Sequence, residues 1–365
     1  MSDDRTMLTE VATGLFRDLC TPEDVVAAEA TGWSERLWDA LAESGFPFVS
    51  VPEEAGGSGG DVADACALLT VAGRFAAPVP LAETGLLAGW ALAAAGLELP
   101  EGPLSVAVGR PEDTVRLTGR RLSARLSRVP WGGRSTRVVT FAESGGRCVV
   151  VSAPTAAASV TPGRNLAAEP RDTLMWDDVE LPEEAVAPAP DGVDPAALRL
   201  RGALARSAQI AGALARVTEL SVRYTGERQQ FGRPIARFQA VQAHLVTIAE
   251  ETELAGLAAQ VAALNAQPDP SFDDVAAAKA AAGEAATVAA RAAHQAHGAI
   301  GMTKEYELGQ LTRRLWSWRD EFGGERYWSR ELGRRLAAEG ADALWPNIST
   351  GLVGELASAP GGGAA

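Results

Sequence analysis

Tyr224 to Gln242 reads YTGERQQFGRPIARFQAVQ: a helix end carrying Arg228, a turn at Phe231-Gly232, and a helix restarted at Pro234. Proline suits the first turn of a helix because the N–H it lacks would go unpaired there anyway. An arginine beside a glycine turn and a fresh helix N-terminus is a donor set suited to a diphosphate. The same residues suit a plain helix-turn-helix with a surface arginine, and alone the segment leaves both readings open. On its C-terminal side Phe238, Val241, Leu245 and Ile248 follow a 3-4-3 spacing. Leu254 and Leu257 continue it, which predicts one long helix with an apolar face.

Working outward, nearly everything beyond residue 195 has helical texture. Pro268, Pro270 and Ser271 break the pattern, and Asp273-Asp274 start an alanine-rich helix to about His297. Gly298 and Gly301 interrupt again, and a last helix runs from about Thr303 towards Ala338, with a break at Gly323-Gly324. Ser358 to Ala365 reads as a disordered tail, and Ala185 to Pro195 as a connector. Before that connector, short β-branched runs lie between glycine and proline turns: Leu104–Val108, Val115–Leu117, Val138–Phe141, Cys148–Val151 and Met175–Val179. Such spacing predicts a small sandwich or barrel. The front, from Leu8 to about Leu99, is helical and broken by Pro22, by Gly45-Phe46-Pro47 and by the run Glu53 to Gly60. That run reads as its most flexible part, since glycine is costly to order. Asp61 is placed to cap a helix carrying Val62, Ala65, Leu68 and Leu69, which Pro78 and Pro80 end before Glu83-Thr84 open the next. The expectation is a mostly helical α+β chain: a helical domain over 1–102, a small β domain over 103–187 and a four-helix bundle over 188–357.

The chain has 365 residues, 33 basic against 47 acidic side chains and a formal charge of −14. A binder of nucleic acid or of an anionic membrane surface wants a basic face, which this balance disfavours. A few placed arginines can still hold a phosphorylated ligand. Three scattered cysteines and three histidines offer neither a disulfide framework nor a metal site. Met1 to Glu10 lacks the apolar core of a signal peptide, and apolar stretches such as Leu86 to Leu97 are too short to span a bilayer. The expected location is the cytoplasm. Gly56 to Gly60 is not followed by the lysine of a P-loop, and no strand-to-helix dinucleotide fingerprint appears.

YxxxRxQFGxPIxxFQxVQ resembles the C-terminal bundle of the acyl-CoA dehydrogenase family. Three further segments resemble family motifs in the family's order. They are GFPFVSVPEEAGGSGG from Gly45 to Gly60, WDDVELPE from Trp176 to Glu183, and Gln295 to Tyr306, ending HGAIGMTKEY. The resemblance covers nearly the whole chain. It implies a helical domain, a β domain and a four-helix bundle that assembles dimers or tetramers. It also implies FAD between the β domain and the bundle, completed by a neighbouring subunit, and an electron acceptor for the reduced flavin. By motif match Arg228 and Phe231 are expected at the flavin diphosphate, and Gln295, Gly298 and Ala299 beside the adenine. Ala299 stands where the family has a second glycine.

The reaction the family implies is α,β-dehydrogenation of an acyl-CoA thioester: a carboxylate removes the α proton while the β hydrogen leaves as hydride. The usual glutamate position falls on Phe322, flanked by Glu321 and Glu325, either of which a local shift would bring into place as base or leave as a solvated charge. The alternative base position, on the preceding helix, falls near Gly202, and Pro195 to Thr218 holds no acidic residue. Trp131, in RVPWGGRSTRVV, is the candidate aromatic contact to the flavin ring or else a core aromatic, and Gly132-Gly133 supplies no hydroxyl. The pattern resembles base-less subunits of α2β2 acyl-CoA dehydrogenases acting on steroid side chains, as does TRRLWSWRDEFGGERYW from Thr312 to Trp328. Three readings follow. One is a base-less subunit paired with a homologous chain on a bulky acyl-CoA. The second is a self-sufficient homo-oligomer using Glu321 or Glu325, and the third a structural subunit without flavin. Trp316, Trp318, Trp328 and Trp345, with Arg313, Arg314 and Arg319, suit an interface or a packed bundle equally.

Overall fold

The structure, a computed structural model, describes residues 3–303 and 306–350; the expected tail over 358–365 and Glu305 of the EY motif lie outside them. The front half opens with α1 (Asp3–Leu19), α2 (Pro22–Thr31), α3 (Glu35–Glu43) and α4 (Val62–Arg74). Asp61 caps α4 as its sequence position predicts, accepting from the Asp64 amide while Asp64 accepts from its own. The glycine run ahead of it is packed rather than loose. The amides of Gly57, Gly59 and Gly60 donate to carbonyls of Pro52, Val51 and Val49 at 2.8–3.0 Å. A Cβ at Gly57 would lie 2.1 Å from the Val51 carbonyl oxygen, so glycine serves close backbone approach here, not freedom. After α4 a wide π-helical segment, Ala82–Gly89, runs into α5 (Trp90–Ala94), and the segment is buried along its whole length.

The middle forms a sandwich. One sheet has the order β1-β4-β5-β8, with β1 (Leu104–Val106) parallel to β4 (Arg137–Ser144) and β5 (Arg147–Pro154) and β8 (Val186–Pro188) antiparallel. The other, antiparallel throughout, has the order β2-β3-β7-β6. It comprises β2 (Thr114–Thr118), β3 (Arg121–Pro130), β6 (Ser159–Thr161) and β7 (Arg171–Glu180). Leu122, Ala124 and Leu126 of β3 meet Val138 and Val151 of the first sheet in one core. β3 escapes a search for β-branched runs because its alternation is carried by leucine and alanine between arginines and serines. β8 lies within the stretch that reads as a connector.

The back half is helical: α6 (Pro195–Glu227), α7 (Gln239–Leu264), α8 (Phe272–His297), α9 (Leu308–Trp318), α10 (Glu325–Glu339) and α11 (Ala341–Thr350). A two-stranded hairpin, β9 (Gln229–Gln230) with β10 (Arg233–Pro234), joins α6 to α7. The last helical stretch is divided at the break expected from Gly323-Gly324, where the turn 319–324 separates α9 from α10, and it starts at Leu308 rather than near Thr303. A second departure concerns α7. Its buried face is Ile248, Thr252, Ala255, Ala259 and Ala262, whereas Leu254 and Leu257, read as core, point outward. The alanine-lined core of α6, α7 and α8 is continuous with that of α1 and α4, and Trp318 and Trp328 are buried in it while Trp345 is exposed. No described helix is long and apolar enough to cross a membrane.

Candidate functional site

The residues singled out from the sequence fall into two separate places. The first is one end of the bundle. Tyr224, near the end of α6, stacks on His297 at the end of α8 with ring centroids 4.7 Å apart. Tyr306 closes the cluster, its hydroxyl 3.3 Å from His297 Nε2. Burial pushes the His297 imidazole below its ordinary value, which favours the neutral ring against the aromatics. This docking carries Arg228 and the hairpin to the same end as Gln295, Gly298 and Ala299, and all are exposed. Phe231, at the hairpin tip with φ +52°, is 91% exposed. Among the described residues its only ring neighbour is Phe238, edge-on at 6.0 Å. An arginine, an aromatic ring and a helix C-terminus facing outward together suit contact with something beyond this chain.

The second place is the cleft between the sandwich and the turn 319–324. Here Glu321 is held on both sides: Arg171 Nε donates to one oxygen at 2.7 Å and Arg206 Nε to the other at 2.8 Å. Arg206 also reaches Glu83 at 2.5 Å, and Arg171 reaches Glu169 at 3.0 Å. Arg314 lies 3.3 Å from the other Glu169 oxygen, and Trp318 Nε1 donates to Glu169 at 3.2 Å. Three guanidiniums and three carboxylates thus alternate in a neutral, buried chain drawn from the π-helical segment, α6, α9 and both flanks of the cleft. Charges survive burial only when paired and hydrogen-bonded in this way. Burial alone pushes the Glu321 carboxyl up, but attraction to Arg171 and then Arg206 outweighs it and holds the group down at about 2. A carboxylate held there is a poor proton acceptor at neutral pH.

Phe322 occupies the rest of the cleft. A Cβ at Gly202 would lie 2.2 Å from its ring, so the two expected base positions touch each other and neither carries a carboxylate. The Arg206 guanidinium lies 5.4 Å from the ring centroid. The turn is clamped from below by Lys279, whose buried amino group donates to the carbonyls of Arg319 and Gly323 at 2.6 and 2.8 Å. Trp328 Nε1 donates to the Phe322 carbonyl at 3.2 Å. Glu325 is exposed on α10, on the side that packs against Gly283 of α8. Trp131 is buried, donates its indole N–H to the Gly32 carbonyl at 3.2 Å and carries Arg171 at 4.9 Å from its ring. What remains open is a cavity of about 50 Å³ between Val106, Ser127, Arg128, Arg171 and Phe322. Cofactor pockets run to roughly 300–1,000 Å³. As the side chains stand, Phe322 and the ion-paired Glu321 leave less space there than a flavin ring occupies.

Sequence reasoning missed Glu169, Arg171, Arg206 and Lys279, and read Glu83 only as a helix start and Arg314 only as interface or bundle material. For two of them a signal existed. Glu83 is the only charged residue between Phe75 and Leu97, and Arg206 sits in a run of small and apolar residues, so each had to find a buried partner.

Comparison with known proteins agrees with this architecture. Residues 2–98 match the model of the acyl-CoA dehydrogenase N-terminal domain and residues 200–323 that of the C-terminal domain. The chain is 32% identical to acyl-CoA dehydrogenase IpdE2 of Mycobacterium tuberculosis over 319 residues, covering 84% of this chain and 89% of the relative. It superposes on a chain of the ChsE4-ChsE5 complex from Mycobacterium tuberculosis with a TM-score of 0.84 at 24% identity, over 92% of this chain and 98% of that one. For a chain of the Tcur3481-Tcur3483 steroid ACAD the TM-score is 0.83 at 25% identity, over 93% and 99%. Matched at both ends by family models and along most of its length by a relative, the chain belongs to the acyl-CoA dehydrogenase family, oxidoreductases acting on acyl-CoA.

Proposed function

We propose that this chain is the base-less subunit of a hetero-oligomeric, FAD-dependent acyl-CoA dehydrogenase that introduces an α,β double bond into a bulky acyl-CoA such as a steroid side-chain thioester. The observation that carries this reading is the packing of Phe322 on Gly202 beside an ion-paired Glu321. The cleft between sandwich and bundle is nearly filled, and the carboxylate beside the expected base position, Glu321, is committed to two arginines. What the chain has to offer lies at the exposed bundle end, where Arg228 and Gln295 are free to meet a flavin seated in a partner's cleft. The partner would supply the base that takes the α proton. Two structures of high similarity are named as complexes of two different chains, and one of these is named a steroid ACAD.

The self-sufficient homo-oligomer would need Glu321 to leave both guanidiniums or Glu325 to cross from the α8 side of α10. Arg228→Ala, made in the complex with a homologous partner chain, tests the proposal. Loss of bound flavin with the assembly intact is expected. Unchanged flavin content would instead favour a purely structural subunit. Glu325→Gln should leave desaturation of the acyl-CoA unchanged, and a loss of turnover would revive the self-sufficient reading.

A further inference from the structure

Arg228 and Gln295 sit on different helices, and one flavin can meet both only if the ends of α6 and α8 keep a fixed spacing. Arg228 caps α6, its amide donating to the Tyr224 carbonyl at 2.8 Å. Gln295 lies in the last turn of α8, which stops at His297 as the chain turns off through Gly298 with φ +64°. Three rings fill the space between these two ends. Tyr224 of α6 stacks on His297 with an angle of 16° between the planes. Tyr306, in the lead into α9, tilts onto His297 at 5.2 Å and meets Tyr224 edge-on at 6.0 Å, so each ring touches both others. Aromatic pairs of this kind are favourable through their geometry as well as through the area they bury.

Two hydrogen bonds orient the imidazole within the stack. His297 Nδ1 lies 2.8 Å from the Ala293 carbonyl oxygen, which can only accept, so Nδ1 carries the proton. Nε2 is then the acceptor, and the Tyr306 hydroxyl donates to it at 3.3 Å. A leucine would fill much of the same volume without fixing the direction of any neighbour, whereas a buried ring with both nitrogens used does fix it. His297 is 3% exposed, while Gln295, Gly298 and Ala299 beside it are exposed. Any effect it has on a ligand therefore passes through its neighbours. We propose that Tyr224, His297 and Tyr306 are positioning residues whose stack holds Arg228 and Gln295 in register for one flavin shared with the partner chain. The inference rests on the shared-flavin reading and adds the residues that keep its two arms together.

The test measures the affinity of the complex with a homologous partner chain for FAD, by flavin fluorescence, beside assembly by light scattering. His297→Leu and Tyr224→Leu should each weaken FAD binding about tenfold with assembly intact, as expected when one ring contact and the register it sets are lost. Tyr224→Phe keeps the ring and should retain the affinity; a loss equal to that of Tyr224→Leu overturns the stack in favour of the hydroxyl. Full FAD affinity in both leucine variants overturns the inference, and leaves the shared-flavin reading standing if Arg228→Ala still loses flavin. Should the leucine variants fail to assemble, Tyr306→Phe decides, because it removes only the hydroxyl that meets His297. It should weaken FAD binding about threefold, the effect of one hydrogen bond, and an unchanged affinity overturns the inference. If neither these variants nor Arg228→Ala alters FAD binding, this inference and the shared-flavin reading fall together.

Discussion

Arg206 is fully buried within α6, and its two carboxylate partners come from elements more than a hundred positions away, one in each direction. A guanidinium there costs several kcal/mol to desolvate unless it is paired and hydrogen-bonded, and each of its three nitrogens donates, to Glu321, Gln209 and Glu83. Removing Glu321 strands Arg206 and Arg171 together. Glu321→Gln should therefore destabilise the fold by about 3–5 kcal/mol in urea titrations at pH 7. The pH dependence carries the same signature. Glu321 is depressed from 4.5 to about 2, so its contribution is present above the unfolded value and fades as pH falls from about 4.5 towards 2. That contribution is about 3 kcal/mol at most, and Glu321→Gln should remove this part of the acid sensitivity. At the neighbouring position, Phe322→Glu restores the family's residue type but sets a carboxylate against Glu321 in a filled cleft. It should leave desaturation by the complex unchanged and lower the melting temperature; a gain in turnover would mean the cleft is open.

The turn between α9 and α10 gathers these residues because Lys279 and Trp328 close it from below. Lys279 is one of two lysines in the chain, and burial lowers its amino group from 10.5 to about 7, partly offset by Glu321 and Asp320. Between those values the unfolded chain binds the proton more readily, so stability rises as pH increases from about 7 to 10.5. Lys279→Met should flatten that rise in stability measured from pH 7 to 10, and an unchanged slope would mean the amine is not desolvated. Gly202→Ala tests the other side of the turn: a methyl at 2.2 Å from the Phe322 ring is overpacking, expected to cost about 1–3 kcal/mol. Elements were legible where one signal sufficed, as with Asp61 capping α4 or Ser271 ahead of α8. They were misread where two faces compete. The 3-4-3 run of α7 gave the right helix and ends on buried Ile248, but its continuation in Leu254 and Leu257 faces outward, because alanine and threonine fill the buried side there.

At the scale of the molecule, the order of helices, sandwich and bundle is written in local texture, since proline, glycine and β-branched residues act over a few positions. That Arg228, Phe231 and Gln295 share one exposed end of the bundle follows from contiguous motifs at the ends of α6 and α8, and their contact with a flavin remains the proposal. The closed cleft was not legible. It depends on Glu83, Glu169, Arg171, Arg206, Arg314 and Glu321 meeting across three regions, and nothing local to any of them fixes that pairing. Its consequence is a chain whose own cleft is nearly filled while its bundle end faces outward, the arrangement on which the proposed sharing of a flavin with a partner rests. The measurement that bears on this most directly is the visible absorbance of the chain purified alone, beside that of its complex with a homologous partner. The account predicts no flavin band for the chain alone and a yellow complex with one flavin for every two chains. A chain that is yellow by itself, with one flavin per chain and acyl-CoA desaturation to match, would contradict it.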